Sequence, residues 1–283
     1  MMVGAMLAEA FLHTLDPFAV RFSDDLGLRW YGLSYLAGFV IAWLLLRWLA
    51  KSGRSPLDHR DVPDLMVAAI LGVLIGGRLG YCIFYDPSLL GFTGEFPFWG
   101  VFAIWDGGMA SHGGMLGVII ALAWFASRRG ISKLHILDLS ALVASPGLGL
   151  GRVANFINAE LWGRALPPHM QASPPGWSIK YPEEILRWNA DNPADLERLE
   201  TIFALRSQLG GPDGWPDYGE HLIRLIDRGN EAAIEAIQPL LTAYYPSQLV
   251  QALTDGPLLF AVLAIVWLRP RKPGVLEIGR AHV

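Results

Sequence analysis

Between Gly149 and Gly163 an otherwise apolar stretch carries Arg152, Asn155, Asn158 and Glu160. Read as a helix turning about 100° per residue, this run brings Arg152, Asn155 and Glu160 within an arc of about 140°. Val153, Ala154, Ile157 and Leu161 cover the opposite side. A charge in hydrocarbon costs at least about 2.5 kcal/mol, so an arginine and a glutamate at this depth turn toward a polar interior. The chemistry open to them is recognition of an anion, because a guanidinium presents planar, paired donors that match a phosphate or carboxylate. The same pair could do no more than fix helix packing. His112 precedes Gly113, Gly114 and Gly117, which leave room for a ligand beside the imidazole. It could equally be an interfacial histidine capped by the backbone. Arg78 lies inside a second apolar run, in Gly76-Gly77-Arg78-Leu79-Gly80-Tyr81, and implies an interior site or a paired charge. Tyr31 sits in Trp30-Tyr31-Gly32, where an aromatic is either a membrane-belt anchor or a member of the site.

The run Gly151-Arg152-x-x-Asn155-Phe156-x-Asn158-x-Glu160-x-x-Gly163 resembles the signature of the bacterial prolipoprotein diacylglyceryl transferases. Trp30-Tyr31-Gly32, Gly76-Gly77-Arg78, Trp105-Asp106-Gly107-Gly108-Met109 and His112-Gly113-Gly114 resemble further motifs of that family. The resemblance covers residues 14–163 and 245–274. Tyr245-Pro246-Ser247-Gln248-Leu249-Val250-Gln251 resembles a family run, but Tyr245, Val250 and Gln251 replace its His, Tyr and Glu, so no role of that Tyr or Glu carries over.

The resemblance implies transfer of the diacylglyceryl group of phosphatidylglycerol to the lipobox cysteine thiol of a prolipoprotein. A thioether forms and glycerol phosphate leaves. Such a reaction holds an anionic phosphodiester, stabilises its leaving phosphate, converts a thiol of ordinary pKa near 8.5 to thiolate and excludes water. On this reading Arg152 clamps the phosphate and Asn155 adds a hydrogen bond. Arg78, Glu160 and Gly163 complete the substrate-binding set, with Glu160 orienting an arginine. His112 is the candidate base, since imidazole ordinarily titrates near neutral pH. Tyr31 positions the head group. No cofactor and no metal is implied. The partners are phosphatidylglycerol, the prolipoprotein signal peptide with its lipobox cysteine, and membrane lipid. The alternative is a secondary transporter or channel with a polar intramembrane site, which predicts inverted repeats or paired broken helices that the sequence lacks.

These side chains must be positioned by membrane helices. Of 283 residues, 53% are hydrophobic and 17% charged, where about a quarter charged is usual for a soluble domain. Apolar runs near the roughly 20 residues that a spanning helix needs occur at 30–50, 63–85, 112–127, 134–154 and 248–268. The expected fold is an all-α polytopic membrane protein with five visible spans, where the family resembles seven, plus a mostly helical extracytoplasmic insert. The expected divisions are an N-terminal segment 1–29, helices one to four with the signature at 30–163, an insert at 164–247, helix five at 248–268 and a cytoplasmic stub at 269–283. Asp16-Pro17 and Ser23-Asp24-Asp25 break any long helix in the first segment. The insert carries twelve acidic against seven basic side chains, with helical patches at 183–189, 194–209 and 219–240.

Basic residues gather at 51–61, 128–133 and 269–272, in every second loop. The positive-inside rule then places those loops in the cytoplasm and the N-terminus, the connector 86–111 and the insert outside. Tyr31, His112 and the end of the signature all approach the outer side, so the cavity opens toward the periplasmic half of a bacterial inner membrane. Cys82, the one cysteine, excludes an internal disulfide and reads as a buried packing residue. Residues 1–12 lack the basic start and small-residue cleavage site of a signal peptide. No P-loop or zinc-ligand spacing occurs, and no basic patch for nucleic acid. The family's later Tyr-Gly-x-x-x-Arg pattern has no counterpart after Gly274, and Glu277–Val283 reads as run-on into a sequencing adapter. The expectation is a truncated chain lacking two walls of the cavity and lacking activity.

Overall fold

The computed structural model describes residues 9–22, 26–53, 55–92, 94, 96–103 and 107–268. The expected stub at 269–283 and the pair Trp105-Asp106 lie outside the described residues. In chain order the elements are β1 (Phe11–Leu12), β2 (Phe18–Arg21), β3 (Gly27–Arg29), α1 (Trp30–Lys51), α2 (Val62–Phe84), α3 (Ser111–Arg129), α4 (Lys133–Ile157), α5 (Pro168–Gln171), β4 (Ile179–Lys180), α6 (Pro193–Ala204), α7 (Arg206–Leu209), α8 (Asp217–Asp227), α9 (Glu231–Ile237), β5 (Ala243–Tyr244) and α10 (Ser247–Leu268). The chain divides into two compact units. The first joins 1–35 to 149–254 and the second joins 36–148 to 255–283.

The second unit is built on long apolar helices. Its core is Leu46 and Leu49 of α1, Val62 and Leu65 of α2, Leu122 and Phe125 of α3, Ile136 and Leu139 of α4, and Leu263 and Trp267 of α10. The outward faces are apolar too. Leu36, Val40, Leu44 and Trp48 make an exposed stripe along α1, and Leu116, Ile120 and Trp124 another along α3. Apolar side chains on both faces fit helices whose solvent is hydrocarbon. Among the described residues, α1, α2, α4 and α10 are long and apolar enough to cross a membrane. That is one fewer than the five runs expected. The third run, 112–127, does form the 19-residue α3, but Ser111, His112 and three glycines at one end and Arg128 and Arg129 at the other lower its hydropathy.

Glycine permits the closest contact in this unit. Gly72, Gly76 and Gly80 of α2 face Gly113 and Gly117 of α3. A Cβ at Gly72 would stand 2.7 Å from the Gly117 carbonyl oxygen, and one at Gly80 would stand 2.8 Å from Gly113 Cα. Backbone-to-backbone packing of this kind associates helices where no hydrophobic drive exists between them. At one end of the pair Arg129 bonds Asp61 at 2.7 Å and Asp64 at 2.5 Å, joining the loop before α2 to the last turn of α3. The 51–61 and 128–133 basic loops therefore meet at the same end. Within α4, Pro146 cannot donate to the Leu142 carbonyl four residues earlier. Ser145 Oγ donates to that oxygen instead, at 2.9 Å, and is fully buried. Cys82 is buried in α2, as expected.

The first unit has two sheets and its own core. β2 and β3 form an antiparallel hairpin leading directly into α1. β1 pairs in parallel with β4, and β4 pairs antiparallel with β5, giving the order β1-β4-β5. The N-terminal segment is thus a strand partner of the insert, and the compact unit is larger than the 164–247 span expected. The expected helical patches form with two divisions: Leu205 separates α6 from α7 within 194–209, and Gly229 at φ +72° with the Asn230 cap splits 219–240 into α8 and α9, while 183–189 is a 3-10 turn over Pro182–Arg187. Tyr218, Leu222 and Ile226 bury one face of α8 against Ile185, Ile202 and Ile237, while Glu220 and Arg224 stay outside.

Candidate active site

α4 ends at Ile157, before Glu160, so the signature is not one continuous helix. Its end is a Schellman closure: Ala159 N–H donates to Phe156 O at 3.1 Å and Glu160 N–H to Asn155 O at 2.9 Å. Ala159 takes the left-handed position, φ +51°, where glycine is usual, and Leu161 and Gly163 follow at +55° and +85°. Three left-handed residues in five reverse the chain into a hook over 158–163. The hook achieves by a different route what the helical reading expected. Asn155 Nδ2 donates to Glu160 Oε2 at 2.9 Å and to the Tyr31 hydroxyl at 3.4 Å. Tyr31, Asn155 and Glu160 therefore form one polar cluster. Arg152 lies half-buried one turn before Asn155. It is the one cation in the last three turns of α4, the negative end of the helix dipole, so an anion held there depends on it.

The hook is pinned from several sides. Trp162 Nε1 donates to Ala159 O at 2.6 Å. Gln248, fully buried at the start of α10, donates from Nε2 to Glu160 O at 2.7 Å. Its Oε1 accepts from the Tyr181 hydroxyl at 3.2 Å. Burial pushes the Tyr181 phenol up to about 12, so it remains a donor at ordinary pH. Tyr181 stacks on Trp162 with centroids 5.0 Å apart and planes at 5°, and the Arg187 guanidinium lies over the Trp162 ring at 3.9 Å. His13 Nε2 bonds Phe156 O at 2.7 Å, and burial holds its imidazole below the ordinary 6.5. Gly163 faces Ser247 so closely that a Cβ there would overlap the serine side chain. The sequence reading placed Gly163 among the substrate contacts; here it admits Ser247. That reading assigned no part to Gln248, Trp162 or Tyr181. Pro246-Ser247-Gln248-Leu249 was visible as a motif, but only the fold places Gln248 against the hook.

Arg78 and His112 belong to the other unit. Arg78 is buried, and all five of its N–H groups meet backbone carbonyls. Nε donates to Val101 O, Nη1 to Gly107 O and Gly108 O, and Nη2 to Gly100 O and Ala103 O, at 2.5–3.1 Å. Gly107 and Gly108, at φ +79° and +83°, present their own carbonyls to Nη1. The donors expected for phosphate are engaged by the chain's own connector. His112 is exposed in the first turn of α3 and makes no side-chain hydrogen bond among the described residues. No group of His, Cys, Asp and Glu able to hold a metal occurs among the described residues.

A model of the prolipoprotein diacylglyceryl transferase family matches residues 17–279. The phosphatidylglycerol–prolipoprotein diacylglyceryl transferase of Bdellovibrio bacteriovorus is 42% identical to the chain, covering 94% of it and 78% of the relative. The chain belongs to the prolipoprotein diacylglyceryl transferase family. Enzymes of the same name from Stenotrophomonas maltophilia and Ralstonia pickettii are 34% and 33% identical, covering 92% and 91% of the chain and 74% and 73% of themselves. The transferase match includes the hook, the insert and α10, and runs beyond Gly274, where the motif resemblance stops. With its apolar helices, the chain is a multi-pass membrane protein of this transferase family.

Proposed function

We propose that this chain transfers the diacylglyceryl group of phosphatidylglycerol to the lipobox cysteine of a prolipoprotein at the outer face of a bacterial inner membrane. The observation that carries the reading is the joined Tyr31–Asn155–Glu160 cluster one turn from Arg152, in a chain whose family membership rests on residues 17–279. In the reaction the cysteine sulfur attacks the glyceryl carbon that bears the phosphate. A C–S bond forms, the C–O bond breaks, and glycerol phosphate leaves with the electron pair. Arg152 neutralises the leaving phosphate with two charge-assisted donors. Asn155, its amide oriented by Glu160 and Tyr31, adds a hydrogen bond. His112 takes the thiol proton, and its exposed place at the start of α3 keeps the imidazole accessible. Arg78 serves as a positioning residue, holding the backbone of Gly100, Val101, Ala103, Gly107 and Gly108.

The alternating basic loops support the cytoplasmic side for 51–61 and 128–133, and hence the outer side for the hook and insert. The test is complementation of a strain depleted of its own transferase. The wild-type chain restores lipoprotein maturation, against the inactivity expected of a truncated chain, and Arg152→Ala at equal membrane abundance does not. Maturation restored by Arg152→Ala would overturn the phosphate assignment.

A further inference from the structure

We infer that Gln248 is a positioning residue of the transfer reaction, acting on Asn155 through the backbone of Glu160; the inference rests on the transferase reading above. Gln248 meets the hook with one end of its amide and the insert with the other. Its amide N–H holds Glu160 O at 2.7 Å, and its amide oxygen accepts from Tyr181 at 3.2 Å. Gln248 and Tyr181 are fully buried. The Glu160 carbonyl and carboxylate sit on one residue between two left-handed neighbours, Ala159 and Leu161. Asn155 O holds the Glu160 N–H, but the Glu160 carbonyl belongs to the next peptide, which lies in no helical or strand ladder, so the bond from Gln248 sets which way that peptide faces. The carboxylate of Glu160 in turn accepts from Asn155, which reaches Tyr31. Trp162 holds the adjacent Ala159 carbonyl from within the hook, and its stack on Tyr181 ties the hook to the insert without a polar bond to Glu160. Gln248 supplies that bond, and the Ser247–Gly163 contact beside it fixes the spacing.

The geometry makes a chemical demand that a merely space-filling residue would not make. Position 248 must donate to one oxygen and accept from another. Glutamate at this position is isosteric. Protonated, it supplies an O–H to Glu160 O and a carbonyl to Tyr181. Ionised, it sets an oxygen against the Glu160 carbonyl. Leucine supplies neither bond at any pH.

The test compares wild type, Gln248→Leu and Gln248→Glu in proteoliposomes of phosphatidylglycerol with a lipobox peptide, together with hydrogen exchange of the 159–163 amides. Gln248→Leu lowers kcat on the order of tenfold, the effect of one lost buried hydrogen bond, with KM for the peptide little changed. Its 159–163 amides exchange faster, while those of α2 do not. Gln248→Glu matches Gln248→Leu at pH 8 and recovers toward wild type as pH falls, measured relative to wild type at each pH. Wild-type kcat in Gln248→Leu, or a Gln248→Glu ratio that stays flat with pH, overturns the positioning role. An inactive wild type whose 159–163 exchange still depends on Gln248 overturns the transferase reading instead, and leaves the clamp on the hook standing.

Discussion

Ala159 holds a left-handed conformation that costs an L-residue roughly 1–2 kcal/mol, at the residue that turns α4 into the hook. Ala159→Gly removes that strain against a smaller loss of chain entropy. It is expected to raise the thermal midpoint of the detergent-solubilised protein by the equivalent of up to about 1 kcal/mol. An unchanged or lower midpoint would count against strain at this site. Gly163→Ala should do the opposite, since φ is +85° and the new methyl meets Ser247. For Arg152, the loss of two charge-assisted bonds predicts a fall of at least about 100-fold in kcat/KM for Arg152→Ala. Arg152→Lys should recover little, because a point charge cannot reproduce the fork. The residues of this cluster were legible from their types and spacing. Their arrangement was not. A helical projection puts Arg152, Asn155 and Glu160 on one face, but the helix stops at Ile157 and nothing in Ala159 or Leu161 marks a left-handed residue. The partners of Arg78 were not legible for a related reason, since a buried guanidinium looks the same in sequence whether it serves a ligand or five carbonyls of a glycine-rich connector.

The elements followed the apolar periodicity closely, and their ends are set by polar details. Ser145→Ala would leave the Leu142 carbonyl without its substitute donor inside α4. The expected cost is about 1 kcal/mol in reversible unfolding, with Gly147→Ala as a control in the same turn. Gly117→Leu would push α3 off α2 along its glycine seam and should abolish folded protein in detergent. In the insert, Glu183 carries a buried carboxylate oxygen with no hydrogen-bond partner. Burial first, and then neighbouring Asp227 against the opposing Arg187, push its pKa up from 4.5 to about 7. The raised folded-state value means that this group's contribution to stability is full below about 4.5 and lost as pH rises through about 7. His13, lowered from 6.5 by burial, acts in the other direction: its contribution is present above 6.5 and lost as pH falls through its folded value. Glu183→Gln should therefore raise the midpoint at pH 8 and leave it nearly unchanged at pH 4, flattening the profile between. An equal shift at both pH values would assign the effect to packing. The short strands escaped the sequence reading because β1, β4 and β5 have two residues each, too few for any alternation to register.

At the scale of the molecule, the division into membrane helices and a polar insert was plain from composition, while the compact units cut across it. β1 joins the insert's sheet, and α1, α4 and α10 each pass from one unit to the other. Composition cannot reveal this, because it depends on pairing between segments more than 160 residues apart, such as Phe11 with Ile179. The topology has a direct check. With Cys82 buried and replaced by alanine, Ser207→Cys on the exposed surface of α7 should react with a membrane-impermeant maleimide in intact cells with a permeabilised outer layer. Labelling only after lysis would invert the assignment. The central claim is that these helices and this hook transfer a lipid group to a thiol. The most direct measurement is the mass of a lipobox peptide incubated with the purified chain in phosphatidylglycerol vesicles. The account predicts a mass increase of one diacylglyceryl group on the cysteine, resistant to thiol reductants and neutral hydroxylamine, with glycerol phosphate released in equal amount. It also predicts no increase in vesicles of phosphatidylcholine or with a peptide in which serine replaces the cysteine. A peptide of unchanged mass in phosphatidylglycerol, with the chain folded and inserted, would contradict it.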